Sequence, residues 1–390
     1  MAPYPVLIAG GGIAGIASAL GLARIGREAS LLEQAAAFET VGAGLQIGPN
    51  AVRALKYLDA WDAVAPASFA PPAIVIRDGH SGRVLQHIPL NGFERRFGEP
   101  YRVIHRADLL AGLVERAESH SGIALATGTH VKSFVDRGGH VEVETEAAVI
   151  PGEALLGADG VRSTIRGELV GDGNPVRHPE SLFRALASID AGTDSRLAAI
   201  TLWLCRGAHV VHYPVRGGTA LNLVVAAVEA RWSGEGWSLP ALSPEVLAHL
   251  PDIHEDLRNA LALPSGWLKW AAASRAPAST WSRGRVALIG DAAHAALPYL
   301  AQGAAMALED AVTLCVSIER NGTLADAFRA YQVLRMPRTE RIVRESRKLG
   351  NIYHAAGPLR IARNLVLRMT DPGDFLKRLA WVYDFDPLAA

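Results

Sequence analysis

Residues 5–15 read PVLIAGGGIAG, and this stretch decides the fold. Its first five residues form an apolar run, which is typical of a parallel strand buried on both faces, and a cluster of glycines follows at once. Apolar residues then recur at helical spacing from Ile13 to Ala23, and residues 28–33 (EASLLE) begin a second strand. The pattern predicts a βαβ unit with a glycine-rich turn between its first strand and its helix.

Residues 10–15 (GGGIAG) fit the GxGxxG pattern of a dinucleotide-binding turn. Gly10 permits the tight turn, Gly12 lets a pyrophosphate approach the N–H groups at the helix start, and Gly15 allows the helix to pack closely on the strand. Glu33 follows 18 residues after Gly15, where its carboxylate can accept hydrogen bonds from both hydroxyls of an adenosine ribose. The alternative is a structural glycine turn without a ligand, but the context favours a dinucleotide.

The composition is that of a soluble globular chain. It has 390 residues, 49% of them hydrophobic and 20% charged, which predicts two or three domains. Lys plus Arg equals Asp plus Glu at 39 each, so no overall charge favours nucleic acid or an anionic membrane. The two cysteines, Cys205 and Cys315, have no metal-site spacing, and no apolar run is long enough to span a bilayer. These features predict a cytoplasmic protein with no nucleic-acid, membrane or metal partner.

Two further motifs separate a bound flavin from an exchangeable nicotinamide. Residues 157–163 (GADGVRS) end an apolar stretch in a turn at Asp159, for which a plain turn followed by a helix capped by Ser163 is the alternative. Residues 290–294 (GDAAH) end a later apolar strand, so the carboxylate of Asp291 can bind a ribityl hydroxyl. The helix that begins near Gly303 directs its positive end at the negative N1 and O2 atoms of a reduced flavin. Together the three motifs predict bound FAD.

Alternating strands fill the middle of the sequence. A hairpin is predicted for residues 72–90, further strands for 141–149, 199–205, 210–215 and 221–228, and helix from residue 324 onward. We therefore expect three regions. The FAD-binding domain is predicted to comprise residues 1–71, 100–180 and 270–325, the substrate domain residues 72–99 and 181–269, and the C-terminal helical region residues 326–390.

The three motifs, in this order along the whole chain, resemble those of the single-component FAD-dependent aromatic hydroxylases, the para-hydroxybenzoate hydroxylase type. Within that family the chain is most similar to the group of salicylate hydroxylase, 3-hydroxybenzoate 6-hydroxylase and 6-hydroxynicotinate 3-monooxygenase. The supporting segments are VGAGLQIGPNA (41–51), PYRVIHRADL (100–109), GAHVVHYPVRGG (207–218), PYLAQGAAMALEDA (298–311) and WVYDFD (381–386). The resemblance implies an α/β fold with a glutathione-reductase-like Rossmann FAD domain, a mixed or antiparallel substrate-domain sheet and C-terminal helices.

One strand carries the expected catalytic pair. In residues 209–213 (HVVHY) the side chains alternate, so His209 and Tyr213 share one face and His212 takes the other. In the resembling enzymes a His and a Tyr at this spacing contact the phenolic substrate, which implies that His209 and Tyr213 are catalytic. The alternative from the sequence alone is a sheet position filled by a core histidine and a core tyrosine.

The resemblance assigns the remaining site residues by position. The substrate-binding residues are expected to be Gln46, Pro298 and Tyr299. The cofactor-binding residues are expected to be Gly10, Gly12, Ala14, Gly15, Glu33, Gly44, Arg106, Val131, Asp159, Asp291, Gln302, Gly303 and Ala304. The sequence departs from the family pattern at Ala295, where a proline is usual, and at Pro298, where the 3-hydroxybenzoate enzyme has a glutamine.

The implied activity is hydroxylation of a phenolic aromatic acid, hydroxybenzoate-like or hydroxynicotinate-like, through a flavin C4a-hydroperoxide. Tight non-covalent FAD is expected, with NAD(P)H and O2 as co-substrates, NADH in preference to NADPH, and a homodimer as a further expectation. One alternative is an FAD-dependent epoxidase or hydroxylase of a larger apolar substrate, quinone-like or polyketide-like. A non-enzymatic FAD redox sensor is the other.

Overall fold

A mostly parallel six-stranded sheet forms one half of the molecule. The structure is a computed structural model that describes residues 4–38, 42–192, 194–229 and 238–389. From edge to edge, with elements numbered in chain order, the strands are β18 (Ser282–Arg283), β19 (Val286–Leu288), β11 (Ala154–Gly157), β1 (Val6–Ala9), β2 (Ala29–Leu32) and β7 (Ile123–Ala126). All four residues of β1 are buried, as expected for a strand covered on both faces.

Among the described residues up to 320, seven helices share one buried core with this sheet. They are α1 (Ile13–Arg24), α2 (Pro49–Tyr57), α3 (Trp61–Val64), α5 (Arg106–Glu118), α6 (Thr164–Val170), α10 (Asp291–His294) and α11 (Gly303–Arg320). Helix α1 packs against α11 and α5. A Cβ added at Gly21 of α1 would lie 2.5 Å from the sulfur of Cys315, so the absence of a side chain there lets α1 and α11 approach closely.

An eight-stranded sheet forms the other half. Its strands in spatial order are β16 (Ser238–Ala241), β17 (Trp267–Ser274), β12 (Val176–Ser188), β15 (Ala220–Val228), β14 (Ala208–Val215), β13 (Ile200–Leu204), β4 (Ala73–Asp78) and β5 (Val84–Pro89). All neighbours are antiparallel except β13 and β4. Three short helices connect strands of this sheet. They are α7 (Ser195–Ala198), between β12 and β13, and α8 (Ser243–Ala248) and α9 (Glu255–Ala262), between β16 and β17. The predicted α/β fold with a mixed second sheet is confirmed.

The smaller elements differ in part from expectation. Residues 141–149 do not form one strand of the large sheet, because the side chain of Thr145 accepts hydrogen bonds in a turn and produces a hairpin. That hairpin belongs to a separate sheet of β8 (Ser133–Asp136), β9 (Val141–Glu144) and β10 (Val149–Gly152), while β3 (Gly44–Ile47) pairs with β6 (Arg102–His105) and α4 (Phe93–Phe97) follows β5. The predicted domain limits at 180 and 270 fall inside β12 and β17.

Three helices complete the chain, namely α12 (Leu324–Tyr353), α13 (Gly357–Met369) and α14 (Pro372–Tyr383). Helix α12 packs along α11, and α13 and α14 reach the β5 edge of the large sheet. The C-terminal helices therefore bridge the two halves. Among the residues that the structure describes, no helix combines the length and apolar character needed to cross a membrane.

Candidate active site

Two adjoining cavities lie at the junction of the two sheets. The first, of about 370 Å³, has the β1–α1 turn and the start of α11 on one side and the large sheet on the other. The second, of about 520 Å³, runs along the glycine turn toward Glu33. Both cavities are lined by Gly12, Arg106, Ala158 and Gly160, so they form one continuous groove.

The three glycines of the turn have different roles. Gly10 has a φ of 109°, and an added Cβ would lie 2.5 Å from the carbonyl oxygen of Ala158. A Cβ at Gly15 would lie 1.9 Å from the carbonyl oxygen of Gly10. At Gly12, by contrast, φ is −76° and a Cβ would meet no heavy atom of the described residues within 4 Å. Gly10 and Gly15 are thus required by the fold, whereas Gly12 leaves open space in the groove.

Glu33 lies at the far end of the second cavity. Its Oε2 accepts a hydrogen bond of 2.6 Å from the N–H of Gly11, and its Oε1 accepts one of 2.7 Å from the N–H of Ala35. These bonds fix the carboxylate beside the glycine turn, where lone pairs remain for the hydroxyls of a ligand. Val131, another predicted cofactor residue, lines the same cavity.

Asp159 carries an unpaired acceptor beside the same cavity. Its Oδ2 accepts a hydrogen bond from the N–H of Ile165 at 3.1 Å, but its Oδ1 is buried and has no partner among the described residues. Burial raises the pKa of this carboxyl group. Ser163 also caps α6, by accepting from the N–H of Arg166 at 2.8 Å, so the capped helix and the cavity-lining carboxylate coexist.

The start of α11 faces the first cavity. Gly303 and Ala304 both line it, together with Ala14 and the exposed carboxylate of Asp291. A Cβ at Gly303 would meet no heavy atom within 4 Å in the part of the chain that the structure describes, so a ligand can approach the first N–H groups of the helix. The positive end of the helix dipole therefore favours negative charge in this cavity.

Buried charges hold α11 in place, and sequence reasoning did not find them. The guanidinium of Arg335 on α12 contacts Asp310 at 2.7 Å and Glu309 at 2.8 Å, and all three side chains are fully buried. Arg338 contacts Glu309 at 2.6 Å, and His294 pairs with Asp310. Burial acts to raise the pKa of Asp310, but His294 and Arg335 outweigh it and hold that pKa below its ordinary value.

Paired residues of the large sheet form the opposite wall of the first cavity. Because residues directly paired across strands point to the same face, the register defines three rows of side chains. The rows are His209–Ala226–Leu182, Val211–Val224–Arg184 and Tyr213–Asn222–Leu186 on β14, β15 and β12. His209, Tyr213 and Arg184 all line the cavity. His212 lies on the other face, where its Nε2 accepts from the indole N–H of Trp203 at 3.1 Å.

Burial keeps the two expected catalytic groups neutral. Burial and the neighbouring His354 lower the pKa of His209 to about 3. Burial raises the pKa of Tyr213 above its ordinary value, although Arg184 acts in the opposite direction. At neutral pH Tyr213 therefore keeps its proton and can donate it in a hydrogen bond, while His209 is an uncharged imidazole.

Some of the other predicted site residues line the first cavity, and others lie outside its lining. Gln46 and Pro298 line the first cavity, and Gln46 Oε1 accepts a hydrogen bond of 2.6 Å from the hydroxyl of Tyr101. Tyr299 lies behind the cavity wall, where its ring packs 5.4 Å from that of His209. The buried Gln302 side chain accepts from Asn50 at 3.0 Å and does not line the cavity.

Gly44 shows how closely β3 approaches the large sheet. A Cβ at Gly44 would lie 2.5 Å from the ring of Tyr213 and 2.7 Å from the amide carbon of Asn222. The N–H of Gly44 donates to Asn222 Oδ1 at 2.7 Å. The predicted cofactor residue Gly44 and the predicted catalytic residue Tyr213 are therefore in direct contact.

Arg184 is a cavity residue that the sequence did not reveal. Its Nε is buried without a hydrogen-bond partner, and no ion pair of Arg184 is present among the described residues. Burial lowers the pKa of its guanidinium. Its guanidinium carbon lies 5.6 Å from the centre of the Trp270 ring. Arg184 is half-buried, and an anionic ligand in the cavity would stabilise such a cation by pairing its charge and accepting from its buried Nε.

The groove fits FAD. It is continuous along the glycine turn, it has space where a Cβ of Gly12 would stand, and it contains the orphaned Oδ1 of Asp159. Glu33 stands at the end suited to an adenosine, and the positive end of α11 stands at the end suited to a flavin. Residues 3–346 match the protein family described as FAD binding domain.

The chain belongs to the FAD-binding domain family. It is 38% identical over 381 residues to 3-hydroxybenzoate 6-hydroxylase of Klebsiella oxytoca, and this match covers 97% of the present chain and 96% of that protein. It is also 38% identical over 390 residues to 3-hydroxybenzoate 6-hydroxylase of Polaromonas naphthalenivorans (strain CJ2), and that match covers 99% of the present chain and 97% of that protein. Among solved structures, a salicylate hydroxylase substrate complex superposes with a TM-score of 0.84 at 25% identity, and the match covers 99% of this chain and 97% of that chain.

Proposed function

We propose that this chain is an FAD-dependent monooxygenase that hydroxylates a small phenolic acid, with 3-hydroxybenzoate as the first candidate substrate. The observation that carries the substrate class is Arg184, a half-buried cation whose buried Nε has no hydrogen-bond partner among the described residues and which shares one cavity wall with His209 and Tyr213. A carboxylate supplies the missing charge and accepts the free N–H. The similarity to 3-hydroxybenzoate hydroxylases supports the same class.

The sheet register supports binding of one substrate ring at two ends, by Arg184 at one end and by His209 and Tyr213 at the other. Arg184 stands two strands from Val211, which places their Cα atoms roughly 10 Å apart. His209 and Tyr213 flank Val211 on β14. A benzene ring over the small side chains of Val211 and Val224 can therefore direct a carboxylate toward Arg184 and a hydroxyl toward β14.

His209 and Tyr213 act on the phenolic oxygen in this proposal. A phenol with a pKa near 10 is only about one part in a thousand ionised at neutral pH, so supply of the phenolate is worth up to about 4 kcal/mol of barrier. His209 accepts or relays the phenolic proton, and Tyr213 donates a hydrogen bond that orients the oxygen. FAD, when bound in the groove, supplies the redox chemistry by which electrons from NAD(P)H and one oxygen atom from O2 reach the substrate.

The position of hydroxylation follows from the charge of the phenolate. Its negative charge enriches the ring carbons ortho and para to the oxygen, and an electrophilic oxygen attacks there. The relatives are named for attack at position 6 of 3-hydroxybenzoate, which is para to the hydroxyl. We take the para product as the first expectation for this chain.

The cavity disfavours the alternative of a larger apolar substrate. The cavity has a volume of about 370 Å³, and this volume includes the space in front of the start of α11, where a flavin ring would bind. Little room therefore remains for a quinone or polyketide. A quinone-like ligand would also leave Arg184 without a counter-charge.

Two further expectations concern the electron donor and the oligomeric state. Comparison of the oxidation rates of NADH and NADPH tests the expectation that NADH is the electron donor. Sedimentation of the holoprotein tests the expected homodimer.

A substitution at Arg184 tests the substrate class. Arg184→Met keeps the length of the side chain and removes the charge, so the affinity for 3-hydroxybenzoate should fall by about 10- to 150-fold, as the perturbation of the flavin spectrum measures. The affinity for 3-hydroxybenzamide, which lacks the negative charge, should change little. Arg206→Met, at an exposed arginine next to β13, is the control. Equal losses for the acid and the amide would contradict carboxylate binding by Arg184.

A further inference from the structure

A second histidine touches the expected catalytic histidine from the C-terminal region. His354 follows α12 directly, and its Nε2 lies 2.9 Å from Nδ1 of His209, although 145 residues separate the two in sequence. His209 is buried, with 6% of its surface exposed, whereas His354 is half-buried. The pair therefore leads from the cavity toward the protein surface.

The surroundings of the pair fix its orientation. The ring of Tyr353 lies 5.3 Å from that of His209, and the ring of Tyr299 lies 5.7 Å from that of His354. Gly350 makes room for this arrangement, because a Cβ there would lie 2.6 Å from the Tyr299 ring. The remaining ring nitrogens, Nε2 of His209 and Nδ1 of His354, have no hydrogen-bond partner within the described residues. Neither of these two atoms is fully buried.

The electrostatics oppose storage of a proton on His209. Burial and His354 lower its pKa to about 3, so an imidazolium there is a poor final acceptor for a phenolic proton. Burial also lowers the pKa of His354, Glu180 of β12 opposes that shift, and Arg363 of α13 adds to it. A neutral imidazole still passes a proton on, because it accepts at one nitrogen while it releases at the other.

We propose that His354 is a positioning residue that completes a proton exit from the phenolic substrate through His209. In this step the phenolic O–H bond breaks and a new N–H bond forms at Nε2 of His209. The Nδ1 proton of His209 moves to Nε2 of His354, and the Nδ1 proton of His354 leaves to water. The substrate becomes a phenolate, both imidazoles end neutral, and one proton is released to the solvent. The proposal rests on the proposed function, since it requires a phenolic ligand in the cavity.

Proton release on ligand binding tests the exit. Oxidised holoprotein is mixed with 3-hydroxybenzoate in weakly buffered solution that contains a pH-indicator dye, while the flavin spectrum reports binding separately. The wild type should release protons as fast as it binds the ligand. His354→Gln keeps a hydrogen-bonding side chain that cannot relay, so proton release should slow by at least about tenfold while the dissociation constant stays within about threefold.

Two further variants separate a relay from a structural role. His178→Gln, at a half-buried histidine of β12 that also faces Glu180, is the matched control and should behave like the wild type. His354→Ala opens a space toward solvent, so added imidazole should restore fast proton release in proportion to the concentration of its neutral form. A lost packing contact alone would give no such dependence on imidazole.

The outcomes distinguish the two proposals. Failure of the wild type to bind any hydroxybenzoate would overturn the proposed function. Binding by the wild type without proton release, or equally fast release in His354→Gln, would overturn the proton exit and leave the proposed function intact. Slowed release in His354→Gln with rescue of His354→Ala by imidazole would support the exit.

Discussion

Gly12 and Gly15 belong to one turn, yet they lack a side chain for different reasons. A Cβ at Gly15 would lie 1.9 Å from the carbonyl oxygen of Gly10, whereas a Cβ at Gly12 would meet no heavy atom within 4 Å among the residues described. The first contact is internal to the protein. The space at Gly12 belongs to the groove, so the two positions separate the needs of the fold from the needs of the cofactor.

Gly12→Val should fold and lose FAD. Its φ of −76° is open to valine, but the side chain would occupy the path of the pyrophosphate. We expect FAD content to fall by at least about tenfold, measured by absorbance at the flavin band, with unchanged far-ultraviolet circular dichroism. Gly15→Val is the matched contrast and should fail to fold. A folded Gly12→Val protein with full FAD would contradict the assignment of the groove.

His209→Ala and Tyr213→Phe should uncouple the reaction while FAD content stays intact. Loss of the proton acceptor is expected to lower product formation by about 10²- to 10⁴-fold, and loss of one hydrogen bond by less. NADH oxidation should survive better than hydroxylation, so hydrogen peroxide should accumulate. His212→Gln, on the opposite face of β14, is the control. Peroxide formation in that control, with coupled turnover in the other two variants, would contradict the site.

Arg335→Met should destabilise the protein strongly. It leaves Glu309 and Asp310 buried without their shared cation, and loss of one partner of a buried pair typically costs about 3 to 5 kcal/mol. Arg344→Met, at an exposed arginine of the same helix, should cost less than about 1 kcal/mol. Urea unfolding of both holoproteins measures the difference. Similar midpoints for the two variants would show that the buried cluster adds no stability.

Acid should destabilise the folded protein through its buried histidines. Burial and His354 lower the pKa of His209 to about 3, and burial and Arg77 lower that of His212 to about 4. Below pH 6.5 the unfolded chain binds protons at these sites and the folded chain does not, so stability falls as the pH drops from 6.5 toward 4. Each histidine contributes about 1.4 kcal/mol per pH unit.

The contribution of His212 to the loss of stability at acid pH can be measured separately in the same pH range. Urea unfolding at pH 6.5 and pH 5.0 should show a shallower loss of stability for His212→Gln than for the wild type, because one of the two protonation sites is gone. The glutamine can still accept from the indole of Trp203. An identical pH dependence in both proteins would show that His212 is not held neutral by burial.

The cofactor groove could be predicted because its residues come in short motifs. The space at Gly12, the carboxylate of Glu33 and the start of α11 at Gly303 all follow from local backbone geometry that the sequence encodes within a few residues. The alternation that separates His209 from His212 is equally local. These features need no knowledge of which strands pair.

The remaining site residues depend on contacts between distant segments. Arg184 lies in an ordinary alternating strand, and only the pairing of β12 with β15 brings it beside β14. His354 directly follows a helix and belongs to no motif, and Arg335 is one of many arginines in the terminal region. No pattern within one segment marks such residues, because their partners are set by tertiary packing.

Product analysis with 3-hydroxybenzoate tests the hydroxylase assignment most directly. Holoprotein is incubated with 3-hydroxybenzoate, NADH and O2, and the consumed NADH is compared with the dihydroxybenzoate formed. We expect ligand-stimulated NADH oxidation and close to one 2,5-dihydroxybenzoate per NADH, with the new hydroxyl para to the old one. NADH oxidation that no hydroxybenzoate stimulates, or a product hydroxylated meta to the existing hydroxyl, would contradict it.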